Sequence, residues 1–243
     1  MYYDLHTHKN PEENGDICAI INILSDDIGE SFLPLPPPKG DSLRPISTEK
    51  HRILYPPLER AGGGKNCYST GIHPWHIKAE NIQKELDLIE KYAGLSNIKA
   101  IGECGLDKCC KTDFNLQKRV FLSQVLISEQ ANKPLIIHCV KSLDEMIDFK
   151  KKMQPKQPWI IHGFRGKPEQ AIQLTTLGFY LSFGFNYNEE SIKRIPIEKL
   201  FLETDDSDCT IQTIYQKTAK VLGISEQNLI QQIEQNILRL KKF

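Results

Sequence analysis

The sequence lacks the features that would place this protein at a membrane or in an oxidising compartment. It has no run of roughly 18 apolar residues, so no membrane span is expected. Its seven cysteines include no CxxC pair, and the N-terminus MYYDLHTH has neither a basic stretch nor an apolar signal core. We therefore expect a reduced, cytoplasmic protein with buried thiols, in which the adjacent Cys109 and Cys110 are a weaker candidate for a metal site.

The sequence also lacks net charge. Lysine and arginine number 31, and aspartate and glutamate also number 31, so the formal net charge is zero. Such a chain has no global positive field to hold a long polyanion, and any contact with nucleic acid must come from a local patch. No obligate protein partner is evident from the sequence.

What the sequence does contain is a series of short apolar segments that alternate with helical patterns. The proposed strands are 2–8, 18–24, 67–73, 98–105, 134–140, 158–164, 178–185 and 199–206. The helical patterns are 79–94, 114–131, 142–153, 167–177 and a tail that Ser225 would cap. In the second of these, one broad face is expected to hold Phe114, Val120, Phe121, Val125 and Leu126. The alternation predicts a parallel sheet, and eight strands favour a TIM (β/α)₈ barrel that spans 1–243 as one domain.

The first part of the chain departs from this regular pattern. Only nine residues separate the first two proposed strands, so the first helix should be missing or reduced to a turn. Half of the 14 prolines fall between Pro34 and Pro57. Residues 25–66 are therefore predicted to form a long irregular insertion on the barrel surface.

Histidines are few, and most fall where a barrel places its active site. Of the seven, five lie at or near the C-terminal end of a proposed strand: His6, His8, His73, His138 and His162. Glu103 and Asp205 hold the same kind of position. That end of the strands forms the active-site face of barrel enzymes, so these residues predict a catalytic site.

The spacing of these residues predicts a site for two metal ions. His6 and His8 are two apart on a strand, so both point into the barrel mouth as a natural chelate for a divalent ion. Glu103 lies between glycines that permit close backbone approach, and its carboxylate can bridge two ions. His138 and His162, on adjacent strands, would hold the second ion.

The predicted ligands define a hydrolytic chemistry. Two ions can polarise a phosphoryl or carbonyl oxygen and lower the pKa of a bridging water, and Asp205 would serve as both ligand and general base. Four imidazoles favour zinc, manganese or iron over magnesium. Glu203 lies deeper on the same side and could orient a ligand. Asp206 should face away from the mouth if the strand continues that far.

Three residues near the mouth are candidates for substrate contact. His73 is expected to touch an anionic oxygen, or else to form a hydrogen bond that shapes its loop. Lys141 and Arg165 suit a phosphate-containing substrate, although ordinary solvated charges explain them equally well. Trp75 either stacks on a base or packs against the protein.

Taken together, these segments resemble the TatD family of metal-dependent deoxyribonucleases and related hydrolases. Seven motifs in order carry the resemblance: DLHTH (4–8), GIHP (71–74), IGECGLD (101–107), PLIIHC (134–139), HGFRG (162–166), GFYLSFG (178–184) and LETD (202–205). The resemblance implies a TIM barrel and a binuclear centre. It implies that one ion is held by His6, His8, Glu103 and Asp205, and the other by Glu103, His138 and His162.

The resemblance also implies an activity. The family usually hydrolyses DNA phosphodiesters, often from the 3′ end, with magnesium, manganese or zinc. This sequence departs from the family in its shortened first segment, in residues 25–66, and in Asp206-Ser207-Asp208, which replaces the common Pro-Tyr. All three departures alter the rim where substrate is chosen.

Other functions are compatible with parts of the pattern. A hydrolase of a small ester, amide or aminoacyl substrate would use the same ligands, and the zero net charge slightly favours it. A histidinol-phosphatase-like PHP enzyme also begins with an HxH strand, but no later histidine follows His162. A barrel that only binds or scaffolds would have no need to keep all six ligand positions.

Overall fold

The eight strands form one parallel sheet that is nearly closed into a barrel. The computed structural model describes residues 1–9, 17–24 and 67–240. The strands are β1 (Tyr2–Thr7), β2 (Ile17–Leu24), β3 (Cys67–Gly71), β4 (Ile98–Asp107), β5 (Leu135–Val140), β6 (Trp159–Ile161), β7 (Phe179–Phe183) and β8 (Leu200–Leu202). They pair in sequence order, and a parallel bridge between Thr7 and Asp205 joins the first strand to the turn after the last. The predicted TIM barrel is confirmed.

Seven helices lie in the described part of the chain. They are α1 (Ile82–Ala93), α2 (Phe114–Ala131), α3 (Leu143–Met153), α4 (Pro168–Thr176), α5 (Glu189–Arg194), α6 (Ile211–Leu222) and α7 (Glu226–Leu240). Five of these match the predicted helices, and Ser225 caps α7 by accepting a hydrogen bond from the Asn228 N–H. None of them is long and apolar enough to cross a membrane.

Two helices were absent from the prediction. Helix α5 is only six residues long, too short for a helical period to show. Helix α6 buries Ile211, Ile214 and Tyr215. It is capped by Thr210, whose side chain accepts from the Thr213 N–H. Its many β-branched residues resemble a strand in composition, which concealed a helical spacing that was present.

The predicted face of α2 is wrong at one residue. Phe121 and Val125 are fully buried, whereas Leu126 is 57% exposed. Successive helical residues are turned by about 100°, so a residue directly after Val125 leaves the buried stripe. Leu126 therefore lies on the outer surface of the barrel.

Strands β4 and β5 lie in close contact, which brings the side chains of Glu103 and His138 together. Gly105 pairs with His138 across these strands, and a Cβ at Gly105 would overlap the His138 carbonyl. The expected close backbone approach is confirmed there, and it requires glycine because no larger side chain fits.

Some predictions concern other parts of the chain. The reduced first helix falls on residues 10–16 and the irregular insertion on 25–66, and both lie outside the described residues. All seven cysteines are free. The expectation of buried thiols is confirmed only for Cys104, since five other cysteines are partly exposed. It is wrong for Cys109, which is exposed because it lies in the turn that follows β4.

Candidate metal centre

The C-terminal ends of five strands converge on one carboxylate. Glu103 lies on β4 and is 4% exposed. All six predicted ligands, together with His73, lie toward this end of the barrel. Glu103 and His138 lie in the second halves of β4 and β5, and the others lie near or just after the ends of their strands. The predicted cluster is thus present as an arrangement of side chains, while the role of each residue stays a prediction.

One side of the cluster contains the paired histidines of β1. Glu103 Oε2 lies 3.3 Å from His6 Nε2 and 3.5 Å from His8 Nε2. Asp205 Oδ1 lies 3.7 Å from each of the same two nitrogens. Donor atoms that share one zinc-sized ion lie roughly 3.0–3.5 Å apart, because each is about 2.0–2.2 Å from the metal. These four side chains therefore have nearly the spacing that an ion requires.

The other oxygen of Glu103 faces a second set of histidines. Oε1 lies 2.7 Å from His162 Nε2, 2.9 Å from His138 Nδ1 and 3.1 Å from His73 Nε2. The ligand atoms of His73, Glu103 and His138 all lie within 4.8 Å of one another. Each Glu103 oxygen therefore has its own group of imidazoles.

A buried carboxylate behind His162 fixes the orientation of that ring. Glu203 is fully buried on the turn after β8, and its Oε1 lies 3.3 Å from His162 Nδ1. The same oxygen accepts from the Gly163 N–H at 2.6 Å. If Nδ1 carries the proton, Nε2 keeps its lone pair for an ion, as is usual when a carboxylate lies behind a metal-binding histidine.

Asp107 has the same relation to His138, and the sequence analysis missed it. Asp107 Oδ2 lies 3.1 Å from His138 Nε2, so the Nδ1 lone pair points to Glu103. The side chain of Gln117 holds the Asp107 backbone, accepting from its N–H at 2.8 Å and donating to its carbonyl at 3.0 Å. A signal was available, because Asp107 lies four residues after Glu103 and shares its side of the strand.

Asp205 owes its position to the junction between the two ends of the barrel. Its N–H donates to the His6 carbonyl at 3.0 Å, and its φ of 52° is one that aspartate tolerates better than most residues. The preceding residue, Thr204, donates its N–H and its hydroxyl to Asp4 at 3.0 and 2.7 Å. Asp4, deeper on β1, thus fixes the turn that presents Asp205.

The charges of the cluster support one another. Burial acts to raise the pKa of Glu103, but His162, His138 and His6 outweigh it and hold that pKa well below its usual range. Burial acts to lower the pKa of His162, while Glu103 and Glu203 raise it well above its usual range. Burial raises the pKa of Asp4 to about 7. Glu103 and His162 thus form a buried ion pair at the centre, whereas Asp4 behind it is close to half-protonated at neutral pH.

His6 supplies the test of whether a metal suits these residues. It is fully buried, and within the described chain neither ring nitrogen has a hydrogen-bond partner. A buried imidazole without a partner is unfavourable unless something else occupies its lone pair. A divalent ion among His6, His8 and the two carboxylates would fill that role, so the residues fit a metal.

His73 differs in its protonation from His8 and His162, whose pKa values are raised. Its Nδ1 accepts a hydrogen bond from the Trp75 N–H at 3.2 Å. A neutral imidazole that accepts at Nδ1 carries its proton on Nε2, so the group that faces Glu103 is a donor. Burial lowers the pKa of His73, which favours this neutral form. The geometry suits a contact to an anionic oxygen better than ligation.

The residues of the rim surround an open cavity of about 810 Å³ above the cluster. Lys141 and Arg165 line it, and both are exposed. The prediction that Asp206 faces away depended on a longer strand. Strand β8 ends at Leu202, and a carboxylate oxygen of Asp206 lies within 4.8 Å of the ligand atoms of His8 and Asp205.

The chain forms a parallel eight-stranded barrel with buried histidines and carboxylates at its C-terminal mouth. This arrangement places it in the class of α/β-barrel proteins with a candidate metal centre. The profile of the TatD-related DNase family matches residues 3–242. The chain belongs to this family, and the resemblance inferred from the seven motifs is confirmed.

Curated relatives show the same relationship at moderate identity. A TATDN1 homologue from Enterocytozoon bieneusi is 35% identical over 66% of this chain and 63% of its own length. The 3′-5′ ssDNA/RNA exonuclease TatD of Escherichia fergusonii is 31% identical over 58% of each chain. The matched part of this chain thus spans less than two thirds of the length of these relatives.

A solved structure shares the whole fold. The crystal structure of YJJV, a TatD homologue from Escherichia coli, superposes with a TM-score of 0.75 and covers 98% of this chain and 97% of its own. Its sequence is only 16% identical, so the likeness concerns the fold.

Proposed function

We propose that this chain is a metal-dependent hydrolase that cleaves phosphodiester bonds of DNA at the mouth of the barrel. The observation that carries the proposal is the division of the Glu103 carboxylate. Its Oε2 faces His6 and His8, while its Oε1 faces His138 and His162. A carboxylate with one oxygen toward each of two imidazole pairs is placed to bridge two ions.

Two divalent ions would then share this carboxylate. His6, His8 and Asp205 would complete one site, and His138 and His162 the other. The mixture of imidazole and carboxylate donors suits Zn²⁺ or Mn²⁺, and Mg²⁺ less well. When bound, the ions supply positive charge that polarises a phosphoryl oxygen and lowers the pKa of a water.

The chain's own groups perform the remaining steps. Asp205 accepts the proton as a water oxygen bonds to phosphorus and the phosphorus–3′-oxygen bond breaks. The departing 3′ oxygen takes a proton from solvent. His73 Nε2 donates to a non-bridging phosphoryl oxygen, and Lys141 and Arg165 offset the charge of the neighbouring phosphate.

Attack from the 3′ end of a single strand is the favoured mode. The Escherichia fergusonii relative is named a 3′-5′ ssDNA/RNA exonuclease, and the family is named for DNase activity. The open cavity suits a flexible chain end, which can enter it more easily than a duplex can.

The test is a cleavage assay on single-stranded DNA labelled at its 5′ end. We expect stepwise shortening when Zn²⁺, Mn²⁺ or Mg²⁺ is supplied, and none after chelation with EDTA. His138→Ala and Asp205→Asn should abolish shortening, whereas Asp148→Asn, an exposed change on α3, should not. Activity that survives both site variants would exclude this centre as the catalyst.

A small substrate is the second candidate. Asp206 adds negative charge close to His8 and Asp205, which disfavours a long polyanion at that edge of the mouth. The same centre could hydrolyse a small ester, amide or aminoacyl bond. A panel of such compounds beside a small phosphodiester, each assayed with the same ions, separates the two functions by relative kcat/KM.

A further inference from the structure

Trp75 is an exposed aromatic side chain that stands at the edge of the mouth. It is 59% exposed, and it is the only aromatic among the large hydrophobic side chains that lie exposed in the described part of the chain. Its indole is nevertheless held in place, because Nε1 donates to Asp107 Oδ2 at 2.6 Å. A ring that is both exposed and fixed presents a ready apolar surface.

The indole of Trp75 lines two cavities. On one side lies the mouth cavity with His138, His162 and Asp205. On the other lies a smaller depression of about 340 Å³, which Trp75 shares with Cys109, Cys110, Lys111 and Thr112. Trp75 therefore lines both the mouth cavity and this depression.

Asp107 ties this ring to the candidate metal centre. The same Oδ2 that accepts from Trp75 lies 3.1 Å from His138 Nε2, and Oδ1 accepts from the Cys109 N–H at 2.6 Å. The His138 and Trp75 rings are 5.8 Å apart and nearly perpendicular. The face of the indole is therefore fixed relative to the place where a phosphate would react.

We infer that Trp75 is the platform on which a nucleobase beside the scissile bond stacks, so that the substrate class is a base-bearing phosphodiester. The inference rests on the proposed function. A nucleotide holds its base one sugar ring away from its phosphate, so a phosphate held at the cluster has its base within reach of Trp75, whose ring centroid lies 5.8 Å from that of His138. Stacking on an exposed aromatic face accepts any base, and Lys111 is placed to meet an adjacent phosphate.

The first test compares two oligonucleotides that differ only in their terminal nucleotide, which is either natural or an abasic tetrahydrofuran residue. For Trp75→Ala we expect kcat/KM on the natural end to fall about 5- to 100-fold, mainly through KM, with little change on the abasic end. Trp75→Phe should keep most of the activity, because it keeps an aromatic face. Leu126→Ala, which removes another exposed apolar side chain, should change neither.

The second test does not require turnover. The chain has two tryptophans, and Trp159 is fully buried, so a ligand at the mouth should quench the emission of Trp75. In the Asp205→Asn background with Zn²⁺, the natural oligonucleotide should quench emission more than the abasic one does. In Trp75→Phe this difference should disappear.

The outcomes separate the inference from the proposed function. If the wild-type protein cleaves neither oligonucleotide, the proposed function fails, and the quenching titration still decides on Trp75. If Trp75→Ala weakens both substrates equally, or if quenching does not depend on the base, Trp75 is only a support for its loop and the inference is overturned.

Discussion

The two ends of the barrel use their buried polar groups differently. At the mouth, His6 is buried without a hydrogen-bond partner, and the Asn22 Nδ2 beside Glu103 also lacks one among the described residues. At the opposite end, Gln157 Oε1 and Trp159 Nε1 also lack a partner among the described residues, but other buried polar groups there satisfy the backbone. Asn236 Nδ2, for example, donates to the carbonyls of Ile197 and Leu200 at 2.8 and 2.9 Å.

The difference shows where stability and function reside. Unpartnered buried groups are unfavourable in the folded chain alone, and they become favourable only when a ligand engages them. Substitution at the mouth should therefore change activity and metal binding more than folding. Substitution in the hydrophobic core should change folding more than activity and metal binding. Four substitutions test this contrast.

The largest effect is expected from Glu103→Gln. The loss of a charged bridge should remove several kcal/mol of transition-state stabilisation, which lowers kcat/KM by about 10³-fold or more. The metal content of the purified variant should fall with it, as elemental analysis would show. Because Glu103 also pairs with His162 in the absence of an ion, the metal-free variant should lose some free energy of unfolding, but less than a large cavity in the core would cost.

A matched control for that change is Glu145→Gln, since Glu145 lies at the rim and pairs with Lys108. It should keep its metal and most of its activity. A Glu103→Gln protein that unfolds far more easily than this control would contradict the division between the two ends.

Phe121→Ala tests the hydrophobic core. Phe121 is fully buried on α2, with its ring 5.4 Å from that of Trp159. The cavity left behind should cost about 3–5 kcal/mol in the free energy of unfolding, as measured with urea. Metal content per folded molecule should not change. Leu126→Ala, five residues further along the helix but exposed, should cost less than about 0.5 kcal/mol.

Glu203→Gln should have an intermediate effect at the mouth. It weakens the partner of His162 Nδ1 without removing a predicted ligand, so metal affinity should fall about 10- to 100-fold. Competition with a chromophoric chelator measures that affinity. Glu190→Gln, an exposed change on α5, should leave it unaltered, and an equal loss in both variants would show that Glu203 has no special role.

The smallest effect is expected at the opposite end, from Lys150→Met. The Lys150 Nζ lies 5.1 Å from the ring centroids of Trp159 and Phe179, and burial together with Lys199 lowers its pKa to about 8. Between this value and the ordinary pKa of 10.5, the unfolded lysine keeps a proton that the folded one has lost. Wild-type stability should therefore rise with pH across that window.

Urea unfolding of the wild type and of Lys150→Met from pH 8 to pH 10 measures this rise. The wild type should gain on the order of 1 kcal/mol relative to the variant, because methionine does not titrate. A constant difference across the window would show that the folded Lys150 stays charged.

The sequence predicted the strands and the cluster because both depend on simple periodicity. Parallel strands end at one face of the barrel, so a residue at a strand end, such as His162, needs no other information to be placed there. Asp107 could have been found by the same rule. The exposure of Leu126 could not be settled by apolar character alone, since one further residue turns a side chain off the buried face.

Other features required three-dimensional contacts. The proton on His73 Nε2 follows from a hydrogen bond to the Trp75 backbone, which no spacing in the sequence specifies. The direction of Asp206 depended on where β8 ends, and strand ends are the least certain part of any sequence-based prediction.

The bridge between Thr7 and Asp205 places the candidate centre where the first strand meets the turn after the last strand. His6 and Asp205 are brought together only when the first strand docks beside the last turn, and the Asp4–Thr204 hydrogen bonds there join positions 200 residues apart. A chain still being assembled has no complete set of ligands. An ion bound here would hold the two ends of the barrel together, and its uptake during refolding would report when the barrel closes.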